Sequence, residues 1–244
     1  MLNKVCTATL VAAASLLAVA PARGQVEEPR YPPAAVYFGV QPLYALTVGE
    51  FSDYVTRGGG LDVSVVFPVR PASPFALRAD GGFIVYGSET LPVCFSTTVG
   101  CRLELDLTTT NSIAFLNAGP QLMLPTGRIR PYVNGAAGFA YFGTSSSVAG
   151  NGSDYSFANT NNFDDVTFAL SAGGGVQVAL GSGRTPILLD LGARYHGNGR
   201  VEYLREGDIT DNPDGSVTIT PTRSEANLVS FQLGVTIGAG TRQR

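Results

Sequence analysis

The sequence predicts an all-β protein, an eight-stranded antiparallel transmembrane β-barrel with both termini at the same end. Three observations predict it. Eight segments alternate between apolar and small or polar residues, as strands do when one face meets oil and the other a wet interior. The connections between them alternate short and long. No segment after the first two dozen residues holds the roughly 18 consecutive apolar residues of a spanning helix, and the other backbone arrangement that satisfies itself in lipid is a closed barrel.

The chain begins with an export signal. Asn3 and Lys4 give a short cationic start, residues 10–20 an apolar run, and Ala20, Ala22 and Gly24 a small-residue cleavage site. These features predict a secretory signal peptide over residues 1–24, cut after Gly24 or alternatively after Ala22. Cys6 lies inside that signal, so lipidation is not expected. A short segment, 25–34, precedes the barrel at 35–240, and a tail follows at 241–244.

The strands follow from alternation. The first, 35–48, turns Val36, Phe38, Val40, Tyr44 and Leu46 outward and Tyr37, Gly39 and Gln41 inward. The second, 59–69, sends Leu61, Val63, Val65 and Phe67 out and Asp62 and Ser64 in. The third, 75–86, sends Leu77, Ala79, Phe83 and Val85 out and Arg78, Asp80 and Tyr86 in. The fourth, 111–124, sets Leu116, Ala118, Leu122 and Leu124 against Asn117, Gly119 and Gln121. The fifth, 131–142, sets Val133, Ala137, Phe139 and Tyr141 against Asn134, Ala136 and Gly138. The sixth, 166–180, places Val166, Phe168, Leu170, Val176 and Val178 outside and Thr167, Ser171, Gly173, Gly175 and Gln177 inside. The seventh, 187–197, places Ile187, Leu189, Leu191 and Tyr195 outside and Asp190, Arg194 and His196 inside. The eighth is the clearest, with Val229, Phe231, Leu233, Val235 and Ile237 on one face and Ser230, Gln232, Gly234, Thr236 and Gly238 on the other.

Short connections at 70–74, 125–130 and 181–185 carry Pro and Gly turn chemistry. Longer polar ones lie at 49–58, 87–110, 143–165 and 198–225. Bacterial barrels with an even strand number have short periplasmic turns and long outer loops, which puts both termini in the periplasm. The formal net charge of −3 and the 14% of charged residues exclude a basic nucleic-acid surface. Lys4 is the one lysine, and no function attaches to that.

Three stretches carry a resemblance. They are Arg130-Pro131-Tyr132-Val133-Asn134-Gly135-Ala136-Ala137-Gly138, then Ser171-Ala172-Gly173-Gly174-Gly175-Val176, then Leu191-Gly192-Ala193-Arg194-Tyr195. In this order they resemble the outer-membrane protein β-barrel domain family, the small eight-stranded barrels of the OmpA and OmpX kind. The resemblance covers the second half of the chain; the first half matches in periodicity. It implies residence in the bacterial outer membrane, lipid and lipopolysaccharide around the barrel, the barrel-assembly machinery during biogenesis, and an extracellular ligand met through the long loops. No peptidoglycan-binding domain follows, so wall anchoring is not implied. The last strand ends in Gly238-Ala239-Gly240 and a basic tail, where many members end in an aromatic residue.

Five charges, Asp62, Arg78, Asp80, Asp190 and Arg194, fall on lumen faces. An eight-stranded barrel is just wide enough for side chains to fill, and an unpaired buried charge costs several kcal/mol. A hairpin closing near Pro71 brings Asp62 nearly opposite Asp80, with Arg78 or Arg194 needed between them. The leading expectation is an interlocked plug, with a narrow gated ion path or catalytic carboxylates as alternatives.

His196, the sole histidine, is expected at the lumen rim with no Ser or acid beside it, which leaves rim hydrogen bonding or a pH-sensitive contact ahead of the lipid-modifying chemistry that some such barrels perform. Cys94 and Cys101, the only cysteines after the signal, share a loop in an oxidising compartment and are expected to be bridged.

Asp208, Asp211, Asn212, Asp214 and Gly215 invite a calcium reading, but the closing Glu of such a loop is missing. Alternation on either side favours a type I turn at 212–215 in a hairpin that extends the last two strands. The Ser-, Gly- and Asn-rich stretch 145–162 reads as a mobile, solvated loop. Tyr44, Phe67, Phe75, Tyr132, Phe139, Tyr141, Phe168 and Tyr195 are candidates for interfacial girdles. No catalytic residue, metal or cofactor is assigned. The function expected is structural, adhesive or ligand-recognising, with a small gated channel and a lipid-modifying enzyme as alternatives.

Overall fold

The computed structural model describes residues 34–70, 73–95, 101, 104–153, 155–180, 185–205, 207–214 and 216–241. The expected signal peptide, most of the segment after it and the last three residues lie outside the described residues.

Strands β1 (Ala34–Thr47), β2 (Arg57–Pro68), β3 (Phe75–Cys94), β4 (Glu104–Met123), β5 (Ile129–Gly150), β6 (Ser156–Ala179) and β7 (Ile187–Asn198) follow one another around a closed antiparallel barrel. The last strand, β12 (Leu228–Thr241), pairs with β7 on one side and β1 on the other. In that closing seam Ala34 lies opposite Thr241 and Thr47 opposite Leu228. The pairing skips Gln41 and Pro42, where Pro42 has no N–H to offer a ladder. Both described termini stand at the end with the short turns.

Two stretches differ from expectation at the long-loop end. Residues 87–94 and 104–110 continue β3 and β4 as paired strands up to Cys94 opposite Glu104. The stretch 145–162, read as a mobile loop, is the paired upper half of β5 and β6, as far as Ala149 opposite Ser156. The physical reason is water on both faces, which removes the need for alternation. Cross-strand hydroxyls sustain the pairing instead: Thr90 with Thr108 at 2.9 Å and Thr109 with Ser146 at 2.8 Å. Register shifts at Thr144/Ser145 and Val148/Ala149 put bulges in the upper β5–β6 pair, a device that blunts a free edge against stray pairing.

The fourth connection is the hairpin extension expected. Beyond β7, β8 (Arg200–Tyr203) pairs with β11 (Thr222–Glu225), and above them β9 (Ile209–Asp211) pairs with β10 (Val217–Ile219).

The faces fall as alternation predicts. Phe38, Val40, Val63, Leu77, Leu116, Val133, Leu170, Leu191, Phe231 and Leu233 are exposed on the outer wall, while Gln41, Asp62, Asp80, Asn117, Gln177, Asp190 and Thr236 are buried inside. An exterior of this kind requires an apolar solvent around it. Phe67 and Phe75 lie near the short-turn end, and Tyr44, Phe83, Tyr141 and Tyr195 toward the other; Phe139 and Phe168 meet edge to face with centroids 6.0 Å apart. Tyr132 is a correction to the girdle. It is buried in the lumen, because it stands on the inner face of β5 beside Val133.

Candidate functional site in the lumen and at the mouth

The interior is built in three layers. Toward the short turns, Tyr37, Val66, Ala76, Met123, Tyr132 and Leu188 form an apolar floor. The inward charges occupy the middle. Above them Leu43, Ile84, Ile113, Phe115, Phe142 and Leu228 form a second apolar layer, joined by Phe51 and Tyr203 from the loops. The plug is therefore more than the ion pairs the sequence pointed to.

In the middle layer Arg78 is the hub. Its Nε donates to Asp80, its Nη2 lies 3.6 Å from Asp62, and its Nη1 donates to Gln121 at 3.4 Å. From the far wall, Arg194 reaches both oxygens of Asp80, at 2.9 and 3.1 Å. Asp62 is fully buried, and neither of its oxygens accepts a hydrogen bond among the described residues. The expected neighbourhood of Asp62, Asp80 and the two arginines is thus assembled by β2, β3 and β7.

Asp190 departs from it. Its oxygens accept from the Tyr132 hydroxyl at 2.8 Å, Gln177 Nε2 at 2.8 Å and Thr236 Oγ1 at 3.3 Å, so neutral donors rather than Arg194 hold it. The glycine-rich strands make this reach possible. Tyr132 is on β5 and Asp190 on β7, so the phenol must cross the inner face of β6. A Cβ at Gly175 or at Gly192 would stand 2.7 Å from the Tyr132 hydroxyl oxygen, and only glycine leaves it that room.

His196 requires a second correction. A serine does stand beside it: Ser230 Oγ is 3.0 Å from His196 Nε2, because β7 and β12 pair with Leu228 opposite His196 and Ser230 opposite Arg194. The ring is also packed against Phe115, with centroids 5.4 Å apart. It is buried beside Phe115 and Leu228 of the upper apolar layer, not at an open rim. No carboxylate of the described residues hydrogen-bonds it.

The cap over that layer had no sequence signal. The first long loop folds as a short 3-10 turn, Gly49–Asp53, that drives Phe51 into the mouth with no exposed surface. Phe51 meets Tyr86, Phe142 and Tyr203 edge to face, with centroids 5.6, 6.4 and 5.0 Å away, the arrangement aromatic quadrupoles favour. The turn is tied down by Glu50, which accepts from the Glu225 N–H at 3.2 Å and lies 3.8 Å from Arg200. Tyr86 donates to the Leu204 carbonyl at 3.2 Å, linking β3 to the fourth connection.

Above the cap a cleft of about 480 Å³ opens between the β3–β6 extension and the β9–β10 ribbon. Leu91 and Leu107 line one wall, and Ile209, Val217 and Ile219 the other. Thr109, Asn111, Ser146 and Asn162 lie at its base, with Glu89 and Arg205 at its margins. Cys94 and Cys101 are bridged at the tip of the β3–β4 hairpin. Among the described residues the acidic stretch of the fourth connection forms no cluster that could hold a metal ion. Asp208 pairs with Arg205 at 3.2 Å, and Asp214 accepts from the hydroxyl and N–H of Ser216, bonds that hold its carboxyl below the usual range. The Asn212 N–H donates to the Ser216 carbonyl at 2.8 Å, and Gly215 of the expected turn lies outside the described residues.

No protein-family profile matches the chain, and no curated protein matches it by sequence. Solved structures do. Neisserial surface protein A is similar at 14% identity and a TM-score of 0.42, over 84% of this chain and 96% of that one. The attachment invasion locus protein Ail of Yersinia pestis is similar at 12% identity and 0.40, over 85% and 99%. The outer membrane protein OprG from Pseudomonas aeruginosa is similar at 10% and 0.39, over 88% and 100%. By their own names these are a surface protein, an attachment invasion locus protein and an outer membrane protein. The described chain is itself an eight-stranded antiparallel barrel, apolar outside, charged at mid-height within and sealed by apolar layers above and below.

Proposed function

We propose that the protein resides in the bacterial outer membrane, exported through a cleaved signal at 1–24, with the termini and short turns toward the periplasm. It acts there as a plugged barrel whose long-loop end recognises an extracellular ligand or surface, in an adhesive or structural role. Lipid and lipopolysaccharide surround it, and the barrel-assembly machinery inserts it. The observation that carries this reading is the contrast between a lumen filled at three levels and an open cleft at the long-loop end.

The five inward charges then serve to close and specify the barrel. The contact of His196 with Ser230 supports packing of the same layer rather than hydrolysis, since nucleophilic catalysis needs a substrate path to the hydroxyl and both residues are buried.

One observation favours a second reading, a small gated channel. Phe51 is carried by a loop, not by a strand, so a shift of that loop alone would unseat the cap. Single-channel recording of the refolded protein in planar bilayers separates the two. Silence from the native barrel agrees with the plugged reading, and discrete selective openings altered by Arg194→Ala overturn it.

A further inference from the structure

The chemistry of the cleft above the mouth singles out one kind of occupant. Its two walls present aliphatic side chains to water, with Leu91, Val217 and Ile219 each exposed by a third or more. Burying such surface is favourable, and the volume is in the range of small-molecule sites, about 300–1,000 Å³. Among the described residues no aromatic ring lines the cleft, so they offer a sugar or a base no platform to stack on.

The polar base is already engaged with itself. Ser146 Oγ bonds Thr109 at 2.8 Å and accepts from Asn162 at 2.6 Å, and Thr144 donates to Asn111 at 2.7 Å. The charges at the margins are unequal. Arg205 bonds Asp208 and lies over the Tyr54 ring at 4.8 Å. Glu89 forms no side-chain hydrogen bond or ion pair with another described residue, although it borders the same space.

We propose that this cleft binds a linear aliphatic cation, its chain held between Leu91 and Leu107 on one side and Val217 and Ile219 on the other, its ammonium group beside Glu89. The inference rests on the reading of the long-loop end as a recognition surface and names the chemistry recognised there. Most of the affinity comes from the chain. Glu89 is partly exposed, so its charge contributes about a two- to fivefold preference for a cation, the range of exposed ion pairs.

The test uses the full barrel in lipid nanodiscs with labelled Leu, Val and Ile methyl groups, titrated with n-hexylammonium, 1-hexanol and hexanoate. The expected result is a shift of the Leu91, Leu107, Val217 and Ile219 methyls, with affinity falling from hexylammonium to hexanol to hexanoate. Glu89→Gln should bring hexylammonium down to the level of hexanol and leave hexanol unchanged. Equal binding of all three probes, or no effect of Glu89→Gln, overturns the choice of a cation and leaves the cleft as a recognition site. Absence of any shift at either wall overturns the recognition reading itself.

Discussion

Replacing Arg78 by Ala removes the hub of the middle layer, and its effect follows from its contacts. Arg78 serves two of the three buried carboxylates, through Nε to Asp80 and through Nη2 to Asp62. Arg194 still holds Asp80 afterwards, whereas Asp62 loses its one ion-pair partner among the described residues. The formal charge of the five-residue layer changes from −1 to −2 in a space closed above and below. Removing one partner of a buried pair costs about 3–5 kcal/mol, and the guanidinium also packs against Gln121 and over the Tyr132 ring at 5.9 Å. We therefore expect a loss of about 3–5 kcal/mol, seen as a lower urea midpoint with unchanged slope when the barrel unfolds from lipid vesicles. Adding Asp62→Asn should restore at least about 1 kcal/mol, since coupled neighbours are non-additive, while Asp62→Asn alone should cost far less than Arg78→Ala. An Arg78→Ala midpoint indistinguishable from the native one, or strict additivity in the double variant, would refute the hub.

Other perturbations separate the remaining layers. Phe51→Ala should leave the barrel folded and make His196 reactive to diethylpyrocarbonate, which the native cap excludes; continued protection of His196 would show that Phe51 is not the seal. Gly175→Ala should destabilise by about 1–3 kcal/mol as an overpacked site, since the new methyl meets both the Leu191 carbonyl and the Tyr132 hydroxyl; an unchanged urea midpoint would contradict that crowding. Replacing Cys94 and Cys101 together by Ser should release about 2–3 kcal/mol of loop constraint at the hairpin tip, read as faster surface proteolysis with insertion intact. A defect in insertion would instead assign the bridge a role in assembly.

Faces were legible in the sequence and heights were not. Alternation placed Asp62, Arg78, Asp80, Asp190, Arg194 and His196 inside because each has an outward apolar residue on at least one side. It could not tell that Asp190 turns to Tyr132, since that depends on a hydroxyl passing two glycines on neighbouring strands. The Ser230 partner of His196 needed the register of β7 against β12, and one residue of slip would have removed it. The upper halves of β3 to β6 escaped notice because strands wetted on both sides carry no period. Leu43, Ile84, Ile113 and Phe115 were also hard to read: they point inward between outward apolar neighbours, so the local pattern is oily throughout. Phe51 had no pattern at all, sharing a short loop with Tyr54 and Val55 and no alternation.

The reach of Arg194 to Asp80 joins β7 to β3 across the bore, between residues 114 apart in the chain. By contrast, Arg78 and Asp80 are neighbours on one strand, and Asp62 lies on the adjoining one. A nascent hairpin of β2 and β3 therefore assembles its own charged trio early, but Asp80 meets its second arginine only after the later strands have arrived. Until then the inner wall is an open, charged trough that hydrocarbon would reject. Contacts this distant in sequence are slow to form, so on the outer-membrane reading insertion and circular closure are expected to be one event, and a chain halted after its sixth strand is expected to find no stable resting place in the membrane.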